Sequence, residues 1–214
     1  MVAVWTGEEA LKRMLTLYDY PDCPFCQKVR VVLAEKDLEY EKIFVDLRKQ
    51  EQKSPDFLRL NPYGKVPVLI DEDEVMYEST IINEYLEDEY PHPSLMPTDS
   101  SARSRVRTLE DYCDNSFLPS AGFVQAELSK PTEEQDAERL ARYRNELQRG
   151  LKRLEGFLGG KEYLVGEFSL ADVSFVPALI ILPRLGIEVD PALRGVNAWI
   201  NRLKQRPSVQ SLDR

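Results

Sequence analysis

Two cysteines stand three positions apart in the segment Cys23-Pro24-Phe25-Cys26, between an apolar run and a run with helical periodicity. At this spacing the two thiols lie one helical turn apart, so they can reach each other. The first thiol falls where free backbone N–H groups and the positive end of a helix dipole favour a thiolate. A strand, this turn and a helix in succession are typical of a thioredoxin-like redox site. The alternative is a pair of packed, unreactive cysteines.

The remaining cysteine and the single histidine add little further chemistry. Cys113 lies in a strongly helical region, so we expect it to be a buried apolar side chain. His92 falls in Tyr90-Pro91-His92-Pro93, which is typical of a solvated loop. A structural zinc site needs a second ligand pair, so we expect no metal. Cys23 must therefore be activated by the helix terminus, by neighbouring donors and by a substrate rather than by a histidine base.

Composition and charge exclude several classes of protein. The chain has 214 residues, of which 43% are hydrophobic and 30% are charged. No apolar stretch approaches the ~20 residues of a membrane span. Glu8 and Glu9 stand where a signal peptide needs an apolar core, so we expect a cytoplasmic protein without membrane contact. The net charge of −9 argues against direct binding of nucleic acid, which requires clustered Lys and Arg.

The first half of the chain alternates strand and helix patterns and predicts an α/β domain over residues 14–90, after a short leader at 1–13. Strands are predicted at Met14–Tyr18, Tyr40–Val45, Val66–Ile70 and Val75–Tyr77, and helices at Pro24–Glu35, Ser54–Leu60 and Ser79–Tyr90. The first two strands are joined by a helix, which implies a parallel pair with a right-handed crossover. The last helix is predicted to turn one face inward, made of Ile81, Ile82, Tyr85 and Leu86.

The second half predicts an all-helical domain over residues 102–214, after a proline-rich linker at 91–101. Helices are predicted over residues 102–118, 133–158 and 197–205. Ser169 and Asp172 form a capping box before a helix that is almost wholly apolar and therefore buried. Pro177 within that helix predicts a kink.

These features together resemble the cytosolic glutathione transferases over roughly residues 14–210. The most specific motifs are Cys23-Pro24-Phe25-Cys26, the segment from Asn61 to Leu69, Glu78-Ser79, and the segment from Ser169 to Asp172. The resemblance implies the glutathione transferase fold, which is a thioredoxin-like α/β domain followed by an all-α domain. It also implies glutathione as a cosubstrate and a homodimer as the assembly.

The resemblance assigns candidate residues for binding glutathione. Val66 would present its backbone to the cysteinyl part of glutathione, and Pro67 would follow a cis peptide bond, which is uncommon. Glu78 and Ser79 would hold the γ-glutamyl end, where a helix N-terminus suits a carboxylate. Without the resemblance, Ser79 would be a helix cap and Glu78 a solvated charge.

Two further residues complete the predicted glutathione site. Lys53 aligns with a lysine that contacts the glycyl carboxylate in the omega class, although a lysine in a polar run is usually only solvated. Phe25 lies between the two cysteines and is assigned to the same site.

The cysteine motif resembles that of the omega, lambda, beta and glutaredoxin-like members, in which the cysteine itself is the nucleophile. Cys23 would form a mixed disulfide with glutathione, and a second glutathione would resolve it. The implied reactions are thiol transfer, deglutathionylation and reduction of dehydroascorbate-like acceptors, with a small electrophile or a disulfide as substrate. Cys26 would be either a resolving thiol or a buried bystander.

A second resemblance is to the stringent starvation protein A family, which has the transferase fold but associates with RNA polymerase and lacks transferase activity. The resemblance is carried by Arg30–Lys36, Tyr90–Pro97, Phe168–Leu170 and Leu182–Glu188. The usual sequences of that family lack the cysteine pair, so the pair favours an enzyme here. A conventional glutathione-conjugating transferase is a third alternative.

The acceptor site in this fold lies between the cysteine loop and the helical domain. The residues predicted to line it are mostly aromatic: Asp19, Tyr20, Phe25, Tyr112, Phe117 and Phe123. The alternative for each is an ordinary core or surface position.

Overall fold

A computed structural model describes residues 15–213, which form an α/β unit followed by an all-helical unit, as the sequence predicts. The predicted leader and Met14 lie outside the described residues. The domain boundaries drawn at residues 90 and 101 stay predictions.

The α/β unit is built on a four-stranded mixed sheet in the order β2-β1-β3-β4. Its elements are β1 (Leu15–Asp19), α1 (Pro24–Glu35), β2 (Tyr40–Phe44), α2 (Pro55–Leu60), β3 (Val68–Asp71), β4 (Glu74–Tyr77) and α3 (Ser79–Glu89). β1 pairs in parallel with β2 and antiparallel with β3, and β3 pairs antiparallel with β4. The predicted crossover and the predicted hairpin are therefore confirmed.

The helical unit contains six α-helices within the described part of the chain. They are α4 (Ser100–Tyr112), α5 (Leu118–Leu128), α6 (Ala137–Leu158), α7 (Leu170–Ile181), α8 (Arg194–Gln205) and α9 (Pro207–Gln210). Across residues 15–213, no helix combines the length and the apolar character that crossing a membrane requires.

Two helix predictions in this unit are wrong at their ends. A π-helical segment, Cys113–Phe117, continues α4 directly into α5, so the helical region extends ten residues beyond the predicted end at Leu118. Pro119 does not stop it, because a proline is tolerated in the first turn of a helix. The predicted start of α6 at Glu133 is also too early, because the Asp136 carboxylate caps the helix by accepting from the Arg139 N–H (2.9 Å).

The prediction that Ile81 of α3 faces inward is wrong. Ile81 is 60% exposed, whereas Ile82 and Leu86 are fully buried. At 3.6 residues per turn, residues four apart share a face and neighbours diverge by about 100°. Ile82 and Leu86 therefore face the core together, and Ile81 is turned outward.

The buried centre of the helical unit is α7, and the predicted capping box is present at its start. The Asp172 carboxylate accepts from the Ser169 N–H (3.0 Å), the Leu164 N–H (3.1 Å) and the Trp199 indole N–H (2.8 Å). A single carboxylate thus joins α7 to the preceding loop and to α8. Pro177 lies inside α7, as predicted. Burial raises the pKa of Asp172 to about 6, although these hydrogen bonds oppose the rise.

We expect Asp172→Asn to lower the free energy of unfolding by roughly 2–4 kcal/mol, because buried donors lose their acceptor. The pKa of Asp172 is higher in the folded chain than in the unfolded chain, so its contribution to stability declines as pH rises from about 4 through about 6. Urea denaturation at a series of pH values measures both effects. A variant whose stability falls over this pH range as steeply as that of the wild type would contradict the assignment.

Candidate functional site

Cys23 immediately precedes α1 and occupies its N-cap with an extended backbone (φ −76°, ψ 118°). Its N–H donates to the Tyr20 carbonyl (3.0 Å), and its own carbonyl accepts from the Gln27 N–H (3.0 Å). The segment over residues 20–26, the cysteine turn, is therefore held by backbone hydrogen bonds on both sides of Cys23. The Cys23 side chain is half-buried, whereas Cys26 is fully buried one turn later.

The two thiols differ in acidity because of where each one lies. A hydrogen bond from the Cys26 thiol is the largest influence on the Cys23 sulfur, and it lowers the pKa of Cys23. The backbone N–H groups of Cys26 and Phe25 lower it further, while burial and the Asp19 carboxylate oppose them. Burial, and then the same bond to Cys23, raises the pKa of Cys26. Cys23 is thus the more acidic thiol of the pair, and Cys26 is the less acidic one.

Asp19 lies beneath the cysteine turn and does not line an acceptor site, so that prediction is wrong. Its fully buried carboxylate pairs with the Arg30 guanidinium (3.1 Å), and Arg30 also donates to the Pro21 carbonyl (2.8 Å). The reason is the alternation of β1, in which Leu15, Leu17 and Asp19 all point inward. Asp19 therefore braces the turn through Arg30.

The aromatic residues predicted to line the acceptor site lie in two places. Tyr112, Phe117 and Phe123 line one cavity of about 400 Å³, and no residue of the cysteine turn is among its lining residues, so their assignment to a site beside the cysteine is wrong. Phe117 is also buried and packs edge-on against Phe175 (5.4 Å between ring centres). Tyr20 rests against the exposed Phe44 (5.9 Å) beside the turn.

A narrow groove of about 90 Å³ adjoins the cysteine turn on the side of the helical unit. It is lined by the turn and by α1, α5 and α7, namely by Asp22, Pro24, Gln27, Leu118, Ala121, Gly122, Gln125, Pro177, Ile181 and Arg184. A neighbouring cavity of about 360 Å³ shares four of these residues. The groove residues of α5 and α7 were not predicted from the sequence, because no motif marks them.

The loop before β3 meets the cysteine turn. The Val66–Pro67 peptide bond is cis, as the resemblance implies, and the Val66 carbonyl oxygen lies 3.9 Å from Cys23 Sγ. The Asn61 side chain braces this loop, donating to the Lys65 carbonyl (2.7 Å) and accepting from the Tyr63 N–H (3.0 Å). A backbone carbonyl and a thiolate therefore border the same space.

Glu78 and Ser79 mark the turn from β4 into α3. Ser79 is the first helical residue and is buried, whereas Glu78 is exposed and holds the N-cap with φ +70°. The interpretation of Ser79 as the cap is therefore wrong. A left-handed backbone costs a glutamate roughly 1–3 kcal/mol, and such strain is concentrated at ligand-contacting positions. Within the described residues no side chain caps α3, so its first N–H groups are available to an anion.

Lys53 reaches the same loop from the other side. Its ammonium donates to the Tyr63 carbonyl (3.2 Å) and passes over Gly64. A Cβ at Gly64, which has φ +58°, would lie 2.8 Å from the backbone oxygen of Gln52 and 2.7 Å from the Lys53 nitrogen. Because the backbone oxygen cannot move aside as a lysine side chain can, glycine is needed here.

The start of α3 lies beside α1, because Lys28 on α1 is 3.5 Å from Thr80. The structure thus brings together the cysteine turn, the Val66 loop and the start of α3. Among residues 15–213, no group of three or more His, Cys, Asp or Glu side chains is arranged to hold a metal ion.

The same architecture occurs in known proteins. The family model of the glutathione S-transferase N-terminal domain matches residues 17–94, and that of the C-terminal domain matches residues 117–207. The chain is 36% identical to a stringent starvation protein A homolog of Coxiella burnetii, over 85% of this chain and 82% of that protein. It is 35% identical to glutathione S-transferase 3 of Zea mays, over 92% of this chain and 91% of that protein. A Phanerochaete chrysosporium glutathione transferase solved with oxidised glutathione is 27% identical and superposes with a TM-score of 0.84, covering 95% of both chains.

We expect Cys26→Ala to raise the pKa of Cys23, because the largest influence that lowers it, the Cys26 side chain, is removed. The pH dependence of the rate of alkylation by iodoacetamide measures this pKa. Cys113→Ala is the matched control, since Cys113 is buried and bonds to the Ser174 carbonyl (3.0 Å). An unchanged midpoint in Cys26→Ala would contradict the described pairing of the two thiols.

Proposed function

The chain belongs to the glutathione S-transferase family, and from that premise we propose that it is a glutathione-dependent thiol transferase with Cys23 as the nucleophile. The single observation that carries this proposal is the position of Cys23, which stands half-buried at the N-cap of α1 beside the Val66 carbonyl, and the lowered pKa of its thiol agrees with that position. A thiolate at this position is itself a nucleophile.

The proposed reaction exchanges one disulfide bond for another in each of two steps. The Cys23 thiolate attacks a glutathionylated substrate, forms a bond to the glutathione sulfur and releases the substrate thiolate. A free glutathione thiolate then attacks this mixed disulfide, which releases oxidised glutathione and restores the Cys23 thiolate. The free glutathione supplies the reducing equivalent, and the glutathione that the substrate carried leaves as the other half of oxidised glutathione. The same thiolate could also reduce dehydroascorbate-like acceptors or react with other small electrophiles; both reactions are candidates in this proposal.

Cys26 is proposed as a donor rather than as a resolving thiol. It is fully buried, and its raised pKa keeps it protonated and therefore weakly nucleophilic. In the proposal it stabilises the thiolate before attack and stabilises Cys23 again as a leaving group in the second step, because a leaving thiol of low pKa departs faster.

The proposed glutathione site uses the groups that surround the thiolate. The backbone of Val66, beside Pro67, would meet the cysteinyl part, as in a β-ladder. The start of α3, at Glu78 and Ser79, would hold the γ-glutamyl end. These assignments are supported by the strained backbone of Glu78 and the open helix terminus.

Two outer contacts and the assembly complete the proposal. Lys53 would meet the glycyl carboxylate, and Phe25 would contribute a backbone N–H to the sulfur. The solved relative with oxidised glutathione supports glutathione as the cosubstrate. We also propose a homodimer and a reducing, cytoplasmic setting, as the family resemblance implies.

We expect wild-type protein incubated with oxidised glutathione to gain the mass of one glutathione, measured by intact-protein mass spectrometry. Cys23→Ser should gain none and should lose thiol-transfer activity at least about a hundredfold, because the nucleophile is gone. Cys26→Ser, which keeps a donor, should still form the adduct. No adduct on the wild type, or aryl-halide conjugation that survives Cys23→Ser, would favour a different function.

A second candidate function is association with RNA polymerase, which the similarity to a stringent starvation protein A homolog supports. The exposed linker that includes Pro91, His92 and Pro93 lies over a buried ion pair and is hydrogen-bonded to it. The Lys36 ammonium donates to Glu87 (2.7 Å) and to the Pro93 carbonyl (3.0 Å). A surface loop held in this way can present a fixed shape to a protein partner.

If this second function holds, RNA polymerase should co-purify with the wild type and equally with Cys23→Ser, whereas His92→Glu in the linker should reduce its recovery. Quantitative immunoblotting of the polymerase after affinity purification measures the recovery. Equal background recovery with every variant would remove the polymerase as a candidate partner.

A further inference from the structure

Lys28 is a buried ammonium on α1 that the proposed reaction does not use. Its side chain is 0% exposed. Its nitrogen donates to both carboxylate oxygens of Asp114 (2.9 and 2.8 Å) and lies 3.5 Å from Thr80 Oγ1. It also lies 5.9 Å from the ring centre of Phe25. One positive charge therefore contacts the cysteine turn, the start of α3 and the helical unit.

The contacts form a closed triangle. The Thr80 hydroxyl donates to Asp114 Oδ2 (3.2 Å), so each of the three side chains contacts the other two. Thr80 directly follows Ser79, and Asp114 lies in the π-helical segment that joins α4 to α5. Segments of this kind are rare and frequently lie at functional sites.

Stability alone is a weak reason for this arrangement. Removing an ammonium and a carboxylate from water is costly, and apolar replacements of a buried ion pair are often as stable. The Asp114 side chain is 21% exposed, and Glu110, another acid near Lys28, is buried. The triangle instead holds α1, the start of α3 and the π-helical segment at fixed distances from one another, although they are far apart in sequence.

We propose that Lys28, Thr80 and Asp114 are positioning residues that set the distance between the Cys23 thiolate and the γ-glutamyl site at Ser79. This inference rests on the proposed function. The cysteinyl sulfur and the γ-glutamyl carboxylate belong to one small molecule, so its binding depends on the spacing of the two helix starts. A misplacement of about 1 Å between groups that act on one ligand can cost about a hundredfold in rate.

The most direct test is Thr80→Val, which keeps the shape of the side chain and leaves the Lys28–Asp114 ion pair intact. Binding of S-hexylglutathione, a probe that cannot form a disulfide, is measured by titration calorimetry. We expect the dissociation constant to rise about tenfold, while the midpoint of urea unfolding and the alkylation pKa of Cys23 stay at their wild-type values.

A second variant and a control separate positioning from stability. Lys28→Met/Asp114→Asn removes both charges, so neither is left unpaired, and we expect the same weakened binding. Lys36→Met is the matched control, because Lys36, at the C-cap of α1, is also a buried lysine with an acidic partner, in this case Glu87 of α3 at 2.7 Å. It should lose stability and keep wild-type affinity for the probe.

Wild-type affinity in both Thr80→Val and the double variant would overturn the positioning role and leave the proposed function intact. Weakened binding in Lys36→Met equal to that in the double variant would also overturn it, because the loss of a buried ion pair would then weaken binding wherever that pair lies. A wild-type protein that fails to bind the probe would overturn the proposed function and this inference together.

Discussion

The placement of Cys23 at the N-cap of α1, with Cys26 fully buried one turn later, is the constraint on which the rest of the site depends. In this placement the Cys26 side chain and the N–H groups of Cys26 and Phe25 lower the pKa of Cys23, whereas burial raises the pKa of Cys26. The burial of Cys26 requires α1 to start at Pro24, and the turn before it is held from beneath by Asp19 and Arg30. The pKa of Cys23 therefore depends on the end of β1, on the start of α1 and on the core residues between them.

Two buried lysines of α1 connect that helix to the rest of the molecule. Lys28 lies near the cysteine end and pairs with Asp114 of the helical unit, and Lys36 lies at the far end and pairs with Glu87 beneath the linker. Each pair crosses between segments that are distant in sequence. α1 therefore connects Cys23 to the start of α3 at one end and to the exposed linker at the other. Both candidate functions depend on this helix.

Local patterns in the sequence predicted most of the fold, and contacts between distant segments account for what was missed. The capping box at Asp172 and the strand–helix–strand unit are encoded within a few residues, so both were predictable. The burial of Asp19 could have been inferred from the alternation along β1, but its partner Arg30 could not. The continuation of the helical region through α5 was not predicted, although Pro119 stands in the first turn of α5, where a proline is tolerated. The groove residues of α5 and α7 meet the cysteine turn only in the folded chain, and one sequence carries no signal for that meeting.

A crystal structure of the protein treated with oxidised glutathione tests the central claim most directly. The account predicts a disulfide bond between Cys23 and glutathione, with the cysteinyl backbone against Val66 and the γ-glutamyl carboxylate at the start of α3. Unmodified Cys23 with glutathione bound elsewhere, or a disulfide between Cys23 and Cys26 with an empty groove, would contradict it.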